Sequence, residues 1–537
     1  MRRTFGFLCK LDFHSIPEIL LLRMQQTSEV WGSDGQTKSV EIPHMDPVIT
    51  DLVSGDVLRF IKVYEDLGLV HAKPAEFNRP IYTIAPEVQK ILGTEPIVSD
   101  IEWVVVVMVC HAFPGHWEEP WFADTGRVLL RHVQHTFHNC HDIKARIVEN
   151  PDCGYKILLT LILSTKLPGS DWKIEALHMA EEILSSGPGF LSSDAAFLRG
   201  LVELRKLELS RRLQDVQFNR LDDLDAPTDP RSNYLHAAQR RWKAQDKIMQ
   251  DPSDLNGAAE ILAGFSPLGS SPSPMELCEM RQIEFLKAKI QRWLARFRPS
   301  LDIWNSLMDY FGPQYDDIGC SFWTHYVGTL CELHEFAQAE KWARHALSGL
   351  RELQKQGVHS KQSKRSRMLR LLLAETLTCQ CLVESPPTSG ERSDARLNEP
   401  RGIYEDLHHE YNALAKRDWA SRFEHLRVHM GAALVAYLSG DRLEEARRRW
   451  EDVRGPAQYC EQHGKVTGFV EMLIQYSLCD IAARLGNMNE AHGFLRDAKA
   501  RFVKIGREHW WTCLGTALLD LYTQSLSQHD LISGIAS

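Results

Sequence analysis

Apolar residues recur every three or four positions along most of this chain, which is the period of a helix. Residues 55–70, GDVLRFIKVYEDLGLV, follow that period. Residues 80–84, PIYTI, instead follow a polar turn and are typical of a strand. From about residue 155 onward, strand patterns nearly vanish. The sequence therefore predicts a mostly α-helical protein, in which helices and a short hairpin form a small winged-helix-like domain near the N-terminus.

One arrangement of small and large residues recurs in the C-terminal half. The segments LHEFAQAEKWARHAL, GDRLEEARRRW and GNMNEAHGFLRDA each follow a short turn and place small residues three or four apart. Weaker copies surround Ala176, Ala258 and Ser300, and positions 258, 300 and 339 lie about 40 residues apart. Repetition at such a period is typical of stacked helix pairs.

Upstream of Ala339, the large residues fall where the first helix of a tetratricopeptide unit carries them. The array therefore resembles tetratricopeptide repeats of a degenerate and lengthened kind, forming an α-solenoid. Small alanines let two helices approach closely, while aromatic and leucine side chains fill the remaining space. An irregular helical bundle is the alternative. The residues expected to pack the repeats are Trp323, Tyr326, Ala339, Ala343, Ala346, Ala446, Trp450, Gly486 and Ala491.

Four polar segments interrupt the array, and we expect them to be exposed loops. They are residues 219–233, 264–274, 355–367 and 383–400. The basic segment 355–367, KQGVHSKQSKRSR, is interpreted as a solvated connector, with a docking or nuclear-localisation element as the alternative.

The predicted organisation has three parts. A winged-helix-like domain occupies residues 1–95, a helical spacer follows at 96–150, and the tetratricopeptide-like array occupies 151–530.

Phrases in the N-terminal half resemble one protein family. Residues 8–22, LCKLDFHSIPEILLL, are similar to the opening of the winged-helix region in fungal STAND proteins of the NB-ARC type, where an LDPDSIPE phrase is usual. Residues 82–92 and 109–133 resemble that family's next segment and the spacer before its tetratricopeptide array. The resemblance implies a winged-helix remnant followed by repeats. The matching residues are Leu11, Asp12, Ser15, Ile16, Pro17 and Glu18.

The nucleotide-binding core of that family has no counterpart in the sequence. No GxxxxGK[ST] phosphate-binding loop occurs. The winged-helix histidine that senses nucleotide in the family would fall at Ala85, whose methyl group cannot donate to a phosphate. We therefore expect no ATP binding or hydrolysis. Because Met1 falls where the family is mid-domain, a truncated STAND protein without separate activity is one alternative.

Residues 132–141, HVQHTFHNCH, carry four histidines at intervals of three, with a cysteine beside the last. Each step of three turns the direction by about 60° around a helix, so the histidines spiral away from one another. No HExxH motif supplies ligands together with a general base. We expect a polar helix face and no metal or other cofactor. The weak metal candidates are His132, His135, His138 and Cys140.

Composition narrows the classes of partner. The formal net charge of -9 makes broad attraction to nucleic acid or anionic lipid unfavourable. The apolar run WVVVVMVC is far shorter than the roughly 20 residues of a membrane span. Twelve scattered cysteines without a CxxC pair favour a reducing compartment, so we expect a cytoplasmic protein.

The leading hypothesis is a non-enzymatic helical-repeat adaptor whose first helices line a concave face for a protein or peptide. A clamp for chaperone C-termini is not expected, because its Lys and Asn positions correspond to Thr324 and Gly328. The alternative of another class is an accessory protein, or a small-molecule or metal enzyme, of a fungal biosynthetic pathway. The oligomeric state and the partner's identity stay open.

Overall fold

A computed structural model describes most of the chain. The described residues are 2–12, 14–41, 57–73, 80–85, 88, 100–119, 121–140, 142–167, 169–185, 192–212, 227–249, 254–315, 317–355, 364–384, 394–414, 419–439, 443–464, 468–505 and 518. They contain 22 helices and 5 short strands, which confirms the prediction of a mostly helical protein. No helix in this described part is both long and apolar enough to cross a membrane.

The described residues divide into two compact units. The first comprises Met1–Trp242 and Gly264–Gln282. The second comprises Lys243–Ala263, Ile283–Lys355 and the chain from His359 onward. The predicted boundaries at residues 95 and 150 both fall inside the first unit, which also includes the start of the predicted array.

The first unit combines all five strands with helices. A three-stranded antiparallel sheet has the order β1-β5-β4, and β2 pairs with β3 in a separate hairpin. The strands are β1 (Ile16–Pro17), β2 (Ser28–Trp31), β3 (Thr37–Val40), β4 (Val70–Lys73) and β5 (Ile81–Ile84). The helices are α1 (Arg2–Lys10), α2 (Glu18–Arg23), α3 (Val57–Asp66), α4 (Asp100–Ala112), α5 (Phe122–Asn139), α6 (Ile143–Glu149), α7 (Pro151–Ser164), α8 (Ser170–Leu184), α9 (Ser192–Arg212) and α10 (Pro230–Met249).

The centre of the first unit is α4. Its run from Trp103 to Cys110 is buried on every side, because α1, α5 and α7 all pack against it. A continuous apolar run of this kind lacks the polar stripe of a surface helix, and it is typical of a helix enclosed by others.

The turn between β2 and β3 anchors a later segment of the chain. Gly35 has a φ of +72°, and a Cβ there would lie 2.5 Å from the Ser273 Oγ, so only glycine fits. The Met275 backbone N–H donates to the Gly35 carbonyl at 3.1 Å. The segment 264–282 therefore belongs to the same core as the N-terminal strands.

The second unit is built of helices alone in its described part. They are α11 (Leu255–Ala263), α13 (Phe297–Ser306), α14 (Met308–Phe311), α15 (Asp317–Glu332), α16 (Phe336–Lys355), α17 (Lys364–Glu384), α18 (Asp394–Asn412), α19 (Trp419–Leu438), α20 (Leu443–Gly464), α21 (Phe469–Arg484) and α22 (Met488–Ile505). The helices α10 and α12 (Pro274–Trp293) contribute residues to both units, because the division falls after Trp242 in α10 and after Gln282 in α12.

Consecutive helices of the second unit pack on one another from α15 to α22. Alternate helices also meet, because α15 contacts α17 and α17 contacts α19. The odd-numbered helices α17 and α21 are buried almost completely around their circumference. The even-numbered α16 buries one stripe that includes Ala339, Ala343 and Ala346, and it exposes the opposite face.

The structure corrects three of the predicted loops. Residues 230–233 begin α10, residues 364–367 begin α17, and residues 394–400 begin α18, while 219–226, 356–363 and 385–393 lie outside the described residues. Helix α18 continues through Pro400 because Leu397, Pro400 and Tyr404 form one buried stripe. Burial of this stripe outweighs the poor helix propensity of proline. Segment 264–274 is non-helical except at Pro274, which begins α12.

The described part of the basic segment, residues 355 and 364–367, is only partly solvent-exposed. Arg365 and Arg367 are both buried in α17, and the Arg367 guanidinium lies 5.4 Å from the centre of the Tyr411 ring. These two charges therefore belong to the helix packing, so they are not available as part of a solvated localisation element.

Candidate functional site

The histidines predicted as weak metal candidates do not converge. His132 is buried in α5 and contacts the Ser15 carbonyl, whereas His138 contacts the Glu175 carboxylate at 2.8 Å. His135 lies within 3.3 Å of the Asn139 side chain, and Cys140 directly follows the last residue of α5. The remaining histidine of the stretch, at position 141, lies outside the described residues. Each of the three described histidines has its own partner, and these side chains are not among the described groups that lie close enough to share one ion.

His132 instead holds the N-terminal loop against α5. Its Nε2 lies 2.8 Å from the Ser15 carbonyl oxygen, and the Asp12 backbone N–H donates to its Nδ1 at 3.3 Å. The ring must therefore be neutral, with its proton on Nε2. Burial lowers the pKa of His132 to about 4, despite opposing contributions from Ser15 and Asp12. Two residues of the LDFHSIPE phrase are thus fixed by a histidine more than 100 positions away.

Replacing His132 by Gln is expected to weaken the acid sensitivity of the fold. A folded pKa of about 4 lies below the ordinary 6.5. The unfolded chain therefore binds the proton first, and stability is lost as the pH falls from about 6.5 toward 4. This loss amounts to about 2 to 3 kcal/mol at the acid end, and it disappears when residue 132 cannot titrate. Urea unfolding at several pH values measures the difference.

The matched control is His138→Gln, which removes an exposed histidine from the same helix. It should retain the acid slope of the parent protein. Parallel pH profiles for the parent and His132→Gln would contradict the assignment of a neutral, buried imidazole at position 132.

Three other histidines converge in the second unit. His408 lies on α18, and His425 and His429 lie four residues apart on one face of α19. One ring nitrogen of each lies within 4.8 Å of the others. A shared ion needs at least three histidine, cysteine or carboxylate side chains close to one another. Among the described residues, His408, His425 and His429 meet this condition. It is the candidate functional site.

The His425 ring is held most firmly. It is buried, and the Tyr411 ring stacks on it with centres 5.4 Å apart. The Tyr411 hydroxyl donates to the buried Glu424 carboxylate at 2.6 Å, which fixes the tyrosine in turn. His408 and His429 are half-buried, so solvent reaches this side of the cluster.

The sequence contains a signal for this cluster that a search for HExxH did not use. The segment EHLRVHM places His425 and His429 at the spacing of one helical turn, which is a common arrangement of two metal ligands. His408 could not have been added from the sequence, because its proximity depends on how α18 packs against α19.

The predicted repeat residues occupy two kinds of position. Trp323, Tyr326, Trp450 and the five alanines are buried. Gly486 is exposed, with a φ of +80°, and the Asn487 N–H donates back to the Ala482 carbonyl at 2.8 Å. Glycine therefore ends α21 in the left-handed conformation. The assignment of these residues to one repeat register stays a prediction.

Three positions that correspond to binding residues in other proteins have structural roles in this fold. They are Ala85, Thr324 and Gly328. Ala85 is buried, and its backbone N–H donates to the Leu69 carbonyl at 3.0 Å. The following residue, Pro86, lies outside the described residues. The Thr324 hydroxyl donates to the Cys320 carbonyl within its own helix, and a Cβ at Gly328 would overlap the Arg292 guanidinium. Neither Thr324 nor Gly328 is arranged to grip a carboxylate.

Comparison with known proteins does not assign this chain to a family. No protein-family model matches the chain, and no curated protein sequence is significantly similar to it.

Proposed function

We propose that this protein is a non-enzymatic helical-repeat adaptor that binds a protein or peptide partner, and that its N-terminal strands and helices are a winged-helix-like remnant. The observation that carries the proposal is the contact between alternate helices of the second unit. In stacked helix pairs, the first helix of each pair meets the first helix of the next, as α15, α17 and α19 do.

A repeated ion pair supports the same interpretation. The Arg344 guanidinium donates two hydrogen bonds to Glu399, at 3.0 and 2.8 Å. The Arg447 guanidinium makes the same two-bond contact with Glu490, at 3.1 and 2.6 Å. Both arginines directly follow a fully buried alanine, and both glutamates directly precede a buried residue on the next even-numbered helix, Pro400 after Glu399 and Ala491 after Glu490. Recurrence of one contact at corresponding positions is what repetition predicts.

The partner surface is assigned to the even-numbered helices. The sequence hypothesis placed the partner on the first helices, but α17 and α21 are buried along most of their surface. Helices α18 and α20 each expose a polar face, with Asp406 and Asp452 among its residues. A charged, rigid surface of this kind suits recognition through electrostatic complementarity.

The double variant Asp406→Lys and Asp452→Lys is expected to abolish partner binding without unfolding the protein. Reversing two exposed charges changes the potential of the surface, while exposed substitutions usually alter stability by less than about 0.5 kcal/mol. The measurement is affinity capture from an extract of the source cells by the parent and the variant. Isolated components then give the stoichiometry and the dissociation constant.

A control with the same charge change combines Asp66→Lys and Glu149→Lys, both exposed in the first unit. The adaptor proposal requires one protein to co-purify stoichiometrically with the parent and with this control, but not with the α18 and α20 variant. Equal retention by both variants would exclude the proposed surface, and no stoichiometric partner at all would count against the adaptor function.

A further inference from the structure

The three histidines at the α18–α19 contact have the geometry of ligands around one ion. The His425 Nε2 lies 3.3 Å from the His408 Nδ1. Zinc–imidazole bonds of about 2.0 to 2.1 Å at tetrahedral angles place two ligand nitrogens about 3.3 Å apart. This pair therefore already has the separation that a tetrahedral ion imposes.

His429 completes a three-ligand face. It lies one helical turn beyond His425, and its ring centre is 4.5 Å from that of His425 and 4.9 Å from that of His408. Its ligating nitrogen lies within 4.8 Å of the other two. A rotation about the side-chain torsions closes the remaining difference of about 1.5 Å without moving the backbone.

We propose that His408, His425 and His429 bind one divalent transition-metal ion of the zinc type, with a water molecule in the fourth position. Three neutral imidazoles are suitable ligands for zinc, copper or nickel ions, whereas magnesium and calcium ions require oxygen ligands. The nearby carboxylate of Glu424 accepts a hydrogen bond from the Tyr411 hydroxyl and is not a member of the cluster. The three proposed ligand atoms are therefore all imidazole nitrogens.

Asn412 supplies the second layer of contacts. Its side-chain amide lies 2.9 Å from the His408 Nε2. The amide atom at this distance is Nδ2. A 180° rotation of the amide brings its carbonyl oxygen to the same place, where it accepts the Nε2 proton and leaves the lone pair of Nδ1 directed at His425 Nε2. Metal-binding histidines are commonly fixed through their second ring nitrogen in this way. In this rotated orientation the amide stabilises the tautomer that the proposed site requires.

Burial on one side and exposure on the other suit an ion site. Stacking on Tyr411 holds His425 in place before an ion arrives, which reduces the entropic cost of binding. The half-buried His408 and His429 lie on the side from which a hydrated ion can enter and where a bound water can remain. Three protein ligands with one open position are typical of sites that keep exchangeable water.

The experiment measures zinc binding by the untagged full chain after removal of metal with a chelator. Equilibrium dialysis against zinc, in competition with a chromophoric chelator, is expected to give one bound ion per chain. The double variant His408→Gln and His429→Gln should bind that ion at least about 100-fold more weakly, because two of three ligands are lost. Asn412→Ala, which keeps all three ligands, should weaken binding about 10-fold.

The matched control is His135→Gln with His138→Gln, which removes two half-exposed histidines at a spacing of three from α5. This variant should bind zinc like the parent, and far-ultraviolet circular dichroism should give the same helix content for all variants. Cobalt in place of zinc should give the strong visible absorption of a four-coordinate ion, and only when His408 and His429 are present. The proposal is overturned if the parent binds less than one ion, or if the α5 variant loses zinc as completely as the α18–α19 variant.

If a variant unfolds, the site is tested instead by a measurement on the parent protein. X-ray absorption of the zinc-loaded chain should show three imidazole ligands and one lighter oxygen ligand. A shell without three imidazoles would equally exclude the site. Because the binding test needs no partner protein, its failure leaves the adaptor proposal untouched, and failure of partner capture leaves the metal site untouched.

Discussion

Replacing Glu332 by Gln is expected to lower the free energy of unfolding by about 3 to 5 kcal/mol, the cost of leaving a buried charge without its counterion. The Arg292 guanidinium donates from Nε and Nη2 to the two carboxylate oxygens of Glu332, each at 2.9 Å. The Glu332 side chain is 1% exposed and that of Arg292 is 7% exposed. Water therefore cannot solvate the Arg292 charge after the carboxylate is removed. Urea unfolding followed by circular dichroism measures the change.

The surroundings of Arg292 increase this dependence on Glu332. Its Nη1 donates to the Nδ1 of His325 at 3.0 Å, and burial holds the pKa of His325 well below its ordinary value. The His325 imidazole is therefore neutral and does not balance the positive charge of Arg292. Glu332 is the carboxylate that balances Arg292 in this contact.

Glu399→Gln is the control for the Glu332 variant. It breaks a two-bond arginine contact of the same geometry, but Arg344 is 45% exposed and Glu399 is 50% exposed. Solvated ion pairs contribute at most about 1 kcal/mol, so the control should lose far less stability. Similar losses for both variants would mean that burial does not decide the value of the Arg292 contact.

Trp450→Ala is expected to cost about 3 to 5 kcal/mol, the range for truncating a large buried aromatic side chain. Trp450 is 0% exposed on α20, four residues after the fully buried Ala446. Its indole Nε1 has no hydrogen-bond partner among the described residues, so the loss measures packing alone. The same unfolding experiment detects it.

Tyr459→Ala provides the comparison within α20. The Tyr459 ring is 36% exposed, and the Arg422 guanidinium lies 4.1 Å from its centre. Loss of such an exposed contact costs about 1 kcal/mol or less. If Trp450→Ala is no more destabilising than Tyr459→Ala, the assignment of Trp450 to the centre of the repeat packing is wrong.

Much of the helical architecture follows from local sequence. Period and small-residue spacing predicted a helix containing Ala339, Ala343 and Ala346, and these residues form a buried stripe of α16. The failure at residues 394–400 is also local in origin, because Pro400 and the polar residues before it predict a loop. Burial of Leu397 and Tyr404 decided otherwise, and that information lies in the tertiary packing.

The side-chain clusters were less predictable because their members are distant in sequence. The sequence offers His132 as a weak metal ligand, but a helix pattern does not indicate its partners at positions 12 and 15. His425 and His429 form a recognisable pair, whereas His408 joins them only through the packing of two helices. The amphipathic period determines which face of a helix is buried, and it does not determine which buried polar groups meet.

The contact of Gly35 with the segment 264–282 has a consequence for synthesis of the chain on the ribosome. Asn233 donates to Glu276 at 2.7 Å, and Trp117 donates to the Cys278 sulfur at 3.3 Å, so this segment supplies partners to residues made much earlier. At translation speeds of about 5 to 20 residues per second, Asn233 waits about 2 to 9 s for its partner and Trp117 about 8 to 32 s. Release of a chain that stops at residue 242 would therefore leave Asn233 and Trp117 without these acceptors.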